Sequence, residues 1–228
     1  MVLQKYKAIF FDVGGTLIKV HPSVGEVYAR NARPFGFTGD GRDVDKQFAI
    51  EWDRTGGLSA LGNKSTEMSE KIFWHNLVFR VFESFGGLRN FENYFDLIYD
   101  VFKKAESWHI YEDVLQSDLL GSLKRQGIVL GVISNWDSRL FSILENVRLA
   151  QYFDFILAST VVGSAKPDEK IFREALRKSG TTVEETCHIG DDLHSDFFRG
   201  TQFRDGRDHC RPKRQAEKRN RTKGALFS

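Results

Sequence analysis

The stretch FFDVGGTLIKV, residues 10–20, sets a lone carboxylate, Asp12, at the end of an apolar run and follows it with paired glycines. Apolar runs without strict alternation mark strands buried on both faces, as in a parallel sheet. Working outward from Ala8–Phe11, the same pattern recurs at Ile128–Ile133, Phe155–Ser159 and Cys187–Ile189. Helical patterns separate the later runs. Asp137 is placed to cap a helix carrying Leu140, Ile143 and Leu144, and another follows Pro167 with Ile171, Phe172, Ala175 and Leu176 before Gly180. This alternation predicts an α/β fold with a doubly wound, Rossmann-like parallel sheet. Such sheets bind ligands at the carboxyl ends of their strands. Asp12, Ser134 and Asp191 all fall at such ends.

Residues 22–108 break the alternation. Trp74, Leu77, Val78, Val81, Phe82 and Phe85 mark one helix face, and Leu88, Phe91, Phe95, Ile98 and Phe102 another. The Gly/Ser-rich piece TGGLSALGNKS, residues 55–65, reads as a loop between helices. The expected organisation is therefore a discontinuous core, residues 1–21 and 109–196, interrupted by an all-helical cap, residues 22–108. A subdomain inserted there is placed to close over the strand ends and exclude water. Its helix-spaced phenylalanines are expected to pack a core rather than cage a ligand.

A chain of 228 residues has room for such a core and cap. No apolar run approaches the ~20 residues that span a bilayer, which argues against a membrane partner. The N-terminus lacks the features of a secretory or transit peptide. Two cysteines, Cys187 and Cys210, make no disulfide framework. These features predict a cytoplasmic protein. The net charge of +2 conceals an asymmetry: residues 197–228 carry ten Lys or Arg against three acids, leaving residues 1–196 with 23 bases against 28 acids. The tail is expected to be disordered. Two readings of it stand side by side. One is a basic arm for nucleic acid or an acidic partner, or a nuclear signal through RPKRQAEKRNR; the other is an alternative end replacing a final helix and strand.

Four pieces carry the chemistry in chain order: DVGGTL after the first strand, SNWDSRL at residues 134–140, AKPDEKIFREAL around Lys166, and HIGDDLHSD at residues 188–196. This series resembles the haloacid dehalogenase (HAD) superfamily, whose four motifs lie at four strand ends. The resemblance spans about residues 5–196 and includes the helical insertion.

The resemblance implies a hydrolase with Asp12 as nucleophile, forming an aspartyl intermediate. An anion attacking a phosphate needs cations and aligned donors around it. Lys166 would neutralise Asp12 and the transferring group. Gly15, Thr16, Ser134, Asn135 and Lys166 would hold the phosphoryl oxygens of a small phosphorylated metabolite. Mg²⁺ is the implied cofactor, held by Asp12, the Gly14 carbonyl and Asp191, with Asp192 and Asp196 in support. Phosphatases of the superfamily carry an acid two residues after the nucleophile, where this chain has Gly14. A missing general acid typically costs ~10²–10⁴ in rate, least for aryl and acyl phosphates, whose leaving groups depart unaided. Weak or unusual phosphatase-type activity is therefore the first expectation. A 2-haloacid dehalogenase and a catalytically silent binding protein are the alternatives. His188 is expected to be a packed core residue, and His194 is a candidate beside the site.

Overall fold

The computed structural model of the chain describes residues 6–61, 65–116, 118–192 and 195–196. The sequence readings for residues 197–228 and for His194 lie outside the described residues.

Strand β1 (Ala8–Phe11) lies between β4 (Val129–Ser134) and β6 (Thr186–Ile189), and β5 (Phe155–Ala158) lies outside β4. All three pairings are parallel, with Phe11 opposite Val132 and Ile189, and Ser134 opposite Ala158. This register brings the residues that follow β1, β4 and β6 out at one edge of the sheet. The strands match the expected runs to within a residue.

Successive side chains of a strand point to opposite faces, and the two faces are covered differently. Ala8, Phe10, Ile133 and Leu157 pack on Ile171, Phe172 and Ala175 of helix α9 (Glu169–Ser179). Ile9, Phe11, Leu130, Val132 and Cys187 belong to a larger core with α6 (Leu119–Arg125) and α7 (Arg139–Asn146); the short helices α5 (Glu112–Gln116) and α8 (Ser159–Val162) precede α6 and follow β5, respectively. Full burial of each such aliphatic or aromatic side chain contributes roughly 1.5–3 kcal/mol. Local signals agree with this packing. Asp168 caps α9 by accepting the Lys170 N–H at 2.8 Å, and Gly180, at φ 66°, ends it. The expected cap of α7 takes a modified form. The first capping position is Ser138, whose side chain makes no cap bond, while Asp137 Oδ1 accepts the Arg139 N–H at 2.9 Å.

The 22–108 segment contains α1 (Val24–Ala32), α2 (Gly41–Thr55), α3 (Glu67–Glu83) and α4 (Phe91–Val101). Trp74, Leu77, Val78, Val81 and Phe82 are buried on α3; Phe85 lies beyond its end, 37% exposed. Tyr94, Phe95, Ile98 and Tyr99 are the buried face of α4. Helices α1 and α2 cross so closely that a Cβ on Gly25 would stand 2.1 Å from the Gly41 carbonyl oxygen. The Gly/Ser-rich piece is not all loop: α2 runs to Thr55 and Gly57–Leu61 form a 3-10 turn, with residues 62–64 outside the description. Two short strands were not anticipated. β2 (Ile18–Val20) and β3 (Trp108–Ile110) pair antiparallel as the stem from which α1–α4 leave and return. Among the described residues, no helix is long and apolar enough to cross a membrane.

Candidate active site

The turn after β1 delivers Asp12. Its N–H bonds the Ile189 carbonyl at 2.8 Å, continuing the β1–β6 ladder by one residue. The chain then folds back on itself: Thr16, Leu17 and Ile18 all donate N–H groups to the Val13 carbonyl, and Gly14 bridges Ile18. Gly15 is required at φ 73°, a left-handed backbone. A Cβ there would also lie 2.3 Å from Asp191 Oδ2, so the bare Cα seats the Asp191 carboxylate.

Asp12 is 8% exposed, and one of its oxygens is doubly held. Oδ1 accepts from Ser134 Oγ at 2.8 Å, from the end of β4, and from Lys166 Nζ at 2.8 Å. The Lys166 ammonium also lies 2.5 Å from Asp196 Oδ1. Burial alone would lower the Lys166 pKa, but the Asp12 and Asp196 carboxylates more than offset it, so the amine is held charged. The Asn135 side chain is committed within the protein. Its side chain makes two reciprocal bonds to the Lys166 backbone, Nδ2 to the carbonyl at 2.9 Å and Oδ1 from the N–H at 2.7 Å. The amide thus clamps the loop that presents the ammonium rather than facing open space.

The loop after β6 contributes the remaining acids. Ligand oxygens of Asp12, Asp191 and Asp196 all lie within 4.8 Å of one another. Asp192 stays out of this group: it is exposed and accepts from Ser195 Oγ at 2.9 Å. Asp196 turns back across Gly190, where a Cβ would collide at 1.9 Å. Its Oδ2 accepts the Asp192 N–H at 3.0 Å and its Oδ1 lies 3.1 Å from His188 Nε2. Burial would raise the Asp196 pKa, yet the His188 hydrogen bond and the Lys166 charge hold it well below the usual carboxylate range. Asp191 is exposed, and the Lys166 charge is only the weakest of the influences on it. Partial desolvation, then the Asp12 and Asp196 carboxylates, push its pKa up to about 6. His188 is largely but not fully buried, its side chain 11% exposed and packed edge-on to the Phe172 ring at 5.5 Å, and it is also bonded into the site, which the sequence reading missed. Its place two residues before the Gly-Asp-Asp turn was the available signal.

A second buried polar cluster ties α3 and α4 to the turn after Ser134. Asp137 is fully buried, pairs with Arg139 at 2.6 Å and accepts Trp74 Nε1–H at 2.6 Å. The Arg139 guanidinium lies between the Trp74 and Tyr99 rings, 4.6 and 4.5 Å from their centres. Glu70, 1% exposed, accepts from both the N–H and the hydroxyl of Ser138. Apart from the Asp137–Arg139 pair, two positions apart, these contacts were not legible in the sequence, because each joins residues more than 60 positions apart or depends on a ring orientation.

Known proteins share this arrangement of chain and fold. The family described as haloacid dehalogenase-like hydrolase matches residues 6–197. The chain is 32% identical over 193 residues to haloacid dehalogenase-like hydrolase domain-containing protein 3 of Mus musculus, covering 84% of this chain and 76% of that protein. It is 30% identical over 148 residues to a phosphoserine phosphatase of Thermus thermophilus, covering 64% of this chain and 56% of that one. Among solved structures, L-2-haloacid dehalogenase from Xanthobacter autotrophicus superposes with a TM-score of 0.61 at 19% identity, over 83% of this chain and 71% of that one. Family match, curated relatives and fold agree, and the chain belongs to the haloacid dehalogenase-like hydrolases.

Proposed function

We propose that the chain is a metal-dependent, phosphatase-type hydrolase that acts on a small phosphorylated metabolite through an aspartyl intermediate at Asp12. The observation that carries this reading is the pairing of a buried, doubly held Asp12 with a third, poorly neutralised carboxylate across the cleft. Three clustered carboxylates share one buried ammonium, and the elevated Asp191 pKa marks a site short of positive charge. The donor set fits a hard divalent cation such as Mg²⁺, with the carboxylates of Asp12 and Asp191 and the Gly14 carbonyl as its holders. When bound, the cation supplies Lewis-acid stabilisation of charge on the transferring phosphoryl group. That need for a cation favours phosphoryl transfer over displacement of halide from carbon, which requires none.

The chain's own residues perform the rest. Ser134 and Lys166 fix the Asp12 carboxylate, so attack begins from one orientation. Lys166 offsets the repulsion between the Asp12 anion and the substrate anion, and Asn135 keeps its loop in place. Asp12 attacks phosphorus, the P–O bond to the leaving group breaks, and water then hydrolyses the aspartyl phosphate to release phosphate. No carboxyl stands at position 14 to protonate the departing alkoxide. Preferred substrates therefore have leaving groups that depart without a proton, aryl or acyl phosphates above alkyl ones. Helices α1–α4, within residues 22–108, serve as the cap that bounds the substrate.

The test is turnover of p-nitrophenyl phosphate, acetyl phosphate and a panel of sugar phosphates with Mg²⁺ or with chelator, in wild type and Asp12→Asn. Mg²⁺-dependent turnover of the first two that disappears in Asp12→Asn is the expected result. A folded wild type that turns over none of them refutes the enzymatic reading, and halide release from a short haloacid in chelator replaces it with a dehalogenase.

A further inference from the structure

We infer that His188 is a positioning residue for the nucleophile, acting through Asp196 and Lys166. The role presupposes the phosphatase-type reading of the site, and no part of it depends on His188 changing charge. Along β6 the side chains alternate: Cys187 faces the larger core, while His188 faces the α9 side, against Phe172. An apolar residue would fill that place on packing grounds alone. His188 instead spends Nε2 on Asp196 Oδ1 at 3.1 Å, and its Nδ1, fully buried, has no hydrogen-bond partner among the described residues. A buried polar atom without a partner is uncommon and calls for a compensating use of the side chain. The hydrogen bond to Asp196 is that use.

The same oxygen that takes His188 also takes Lys166 Nζ, at 2.5 Å, while the other oxygen holds the Asp192 N–H. Asp196 sits over Gly190, so its torsions have little freedom on that side. With His188 in place the carboxylate plane is fixed from three directions, and the shared ammonium is held at 2.8 Å from Asp12 Oδ1. Without it, Asp196 can turn towards solvent or draw Lys166 off the nucleophile. The imidazole must then be the tautomer with Nε2 protonated and Nδ1 bare. Burial, which keeps the ring neutral, agrees with this.

Three measurements on the full chain test the assignment. ¹⁵N spectra of wild type at neutral pH should find His188 protonated on Nε2 and bare on Nδ1; the opposite tautomer overturns the proposal without any variant. The slowly exchanging Lys166 ammonium signal should be present in wild type and in His188→Gln, which keeps a donor, and lost in His188→Leu. With p-nitrophenyl phosphate and Mg²⁺, His188→Leu should lose about 10-fold or more in kcat, the usual scale for outer-shell partners, with KM within about twofold, while His188→Gln recovers most of the loss. An unchanged Lys166 signal and kcat in His188→Leu refute the role, and equal losses in both variants reduce His188 to packing. If wild type hydrolyses nothing, the phosphatase reading fails, and the tautomer and the ammonium signal still decide whether His188 governs Lys166.

Discussion

Arg139→Met should destabilise the protein sharply, and the structure supplies the magnitude. Asp137 is fully buried and Arg139 nearly so, joined at 2.6 Å. Removing one partner of a buried pair leaves an uncompensated charge and costs about 3–5 kcal/mol. The methionine replaces the aliphatic stem but not the cation between the Trp74 and Tyr99 rings, whose desolvated contact is itself worth up to about 2 kcal/mol. Two donors remain for Asp137, the Trp74 indole N–H and the Arg139 backbone N–H, which keeps the loss within that range. Urea unfolding followed by tryptophan fluorescence reads it directly. With an m-value of about 3 kcal/mol/M, the midpoint should fall by about 1–1.7 M. The double variant Asp137→Leu/Arg139→Met removes the uncompensated charge altogether and orphans two neutral donors, the Trp74 indole N–H and the backbone N–H of residue 139, each at the lower end of about 1–3 kcal/mol. It should therefore be more stable than Arg139→Met alone. A single variant that loses less than about 1 kcal/mol, or a double variant no better than the single, refutes the reasoning.

Three further outcomes are expected. Gly14→Asp should raise turnover of alkyl phosphates relative to p-nitrophenyl phosphate, by up to about 10²-fold; an unchanged ratio means that leaving-group protonation does not limit the wild type. Gly15→Ala should lower the unfolding free energy read by urea titration by about 1–3 kcal/mol, the range for a strained left-handed backbone, and weaken Mg²⁺ binding measured by calorimetry, since its Cβ would displace Asp191. Mg²⁺ should raise the melting temperature more at pH 7.5 than at pH 5. The folded state holds the Asp191 proton more tightly than the unfolded chain does, so stability falls as pH rises from 3.8 towards about 6. A cation restores that stability only where the carboxylate is ionised, and equal shifts at both pH values would remove Asp191 from the metal site.

The α/β core and the chain order of its motifs were legible because their signals are local. A strand buried on both faces is apolar throughout, and the groups of interest follow it immediately, as Asp12 follows Phe11 and Ser134 ends β4. Helix ends announced themselves through Asp168 and Gly180. What escaped was non-local. The β2–β3 stem pairs Ile18 with Ile110 across three-residue strands, too short for a period to register. The side chain of Asn135 is spent on the Lys166 backbone, a partner 31 residues away that no local pattern indicates. Asp196 and Asp192 were interchangeable on paper, and the fold separates them: one carboxylate turns inward over Gly190 and the other faces solvent.

The β2–β3 stem has a consequence for how this chain is put together. Val20 and Trp108 are direct cross-strand partners, so the chain leaves the core and returns to it at adjacent points. Closing a loop costs conformational entropy that grows only logarithmically with its length, and the stem meets that cost at one place whatever lies beyond it. The core is thus nearly indifferent to the size of the insertion, which makes the segment beyond the stem exchangeable in principle, much as a tool fits a common handle. The fit is constrained where the two parts share buried polar groups, at the Trp74–Asp137–Arg139 contact and where Glu70 receives Ser138. Any replacement for α1–α4 must either reproduce an indole and a phenol around Arg139 or arrive with Asp137 and Arg139 already changed to apolar residues.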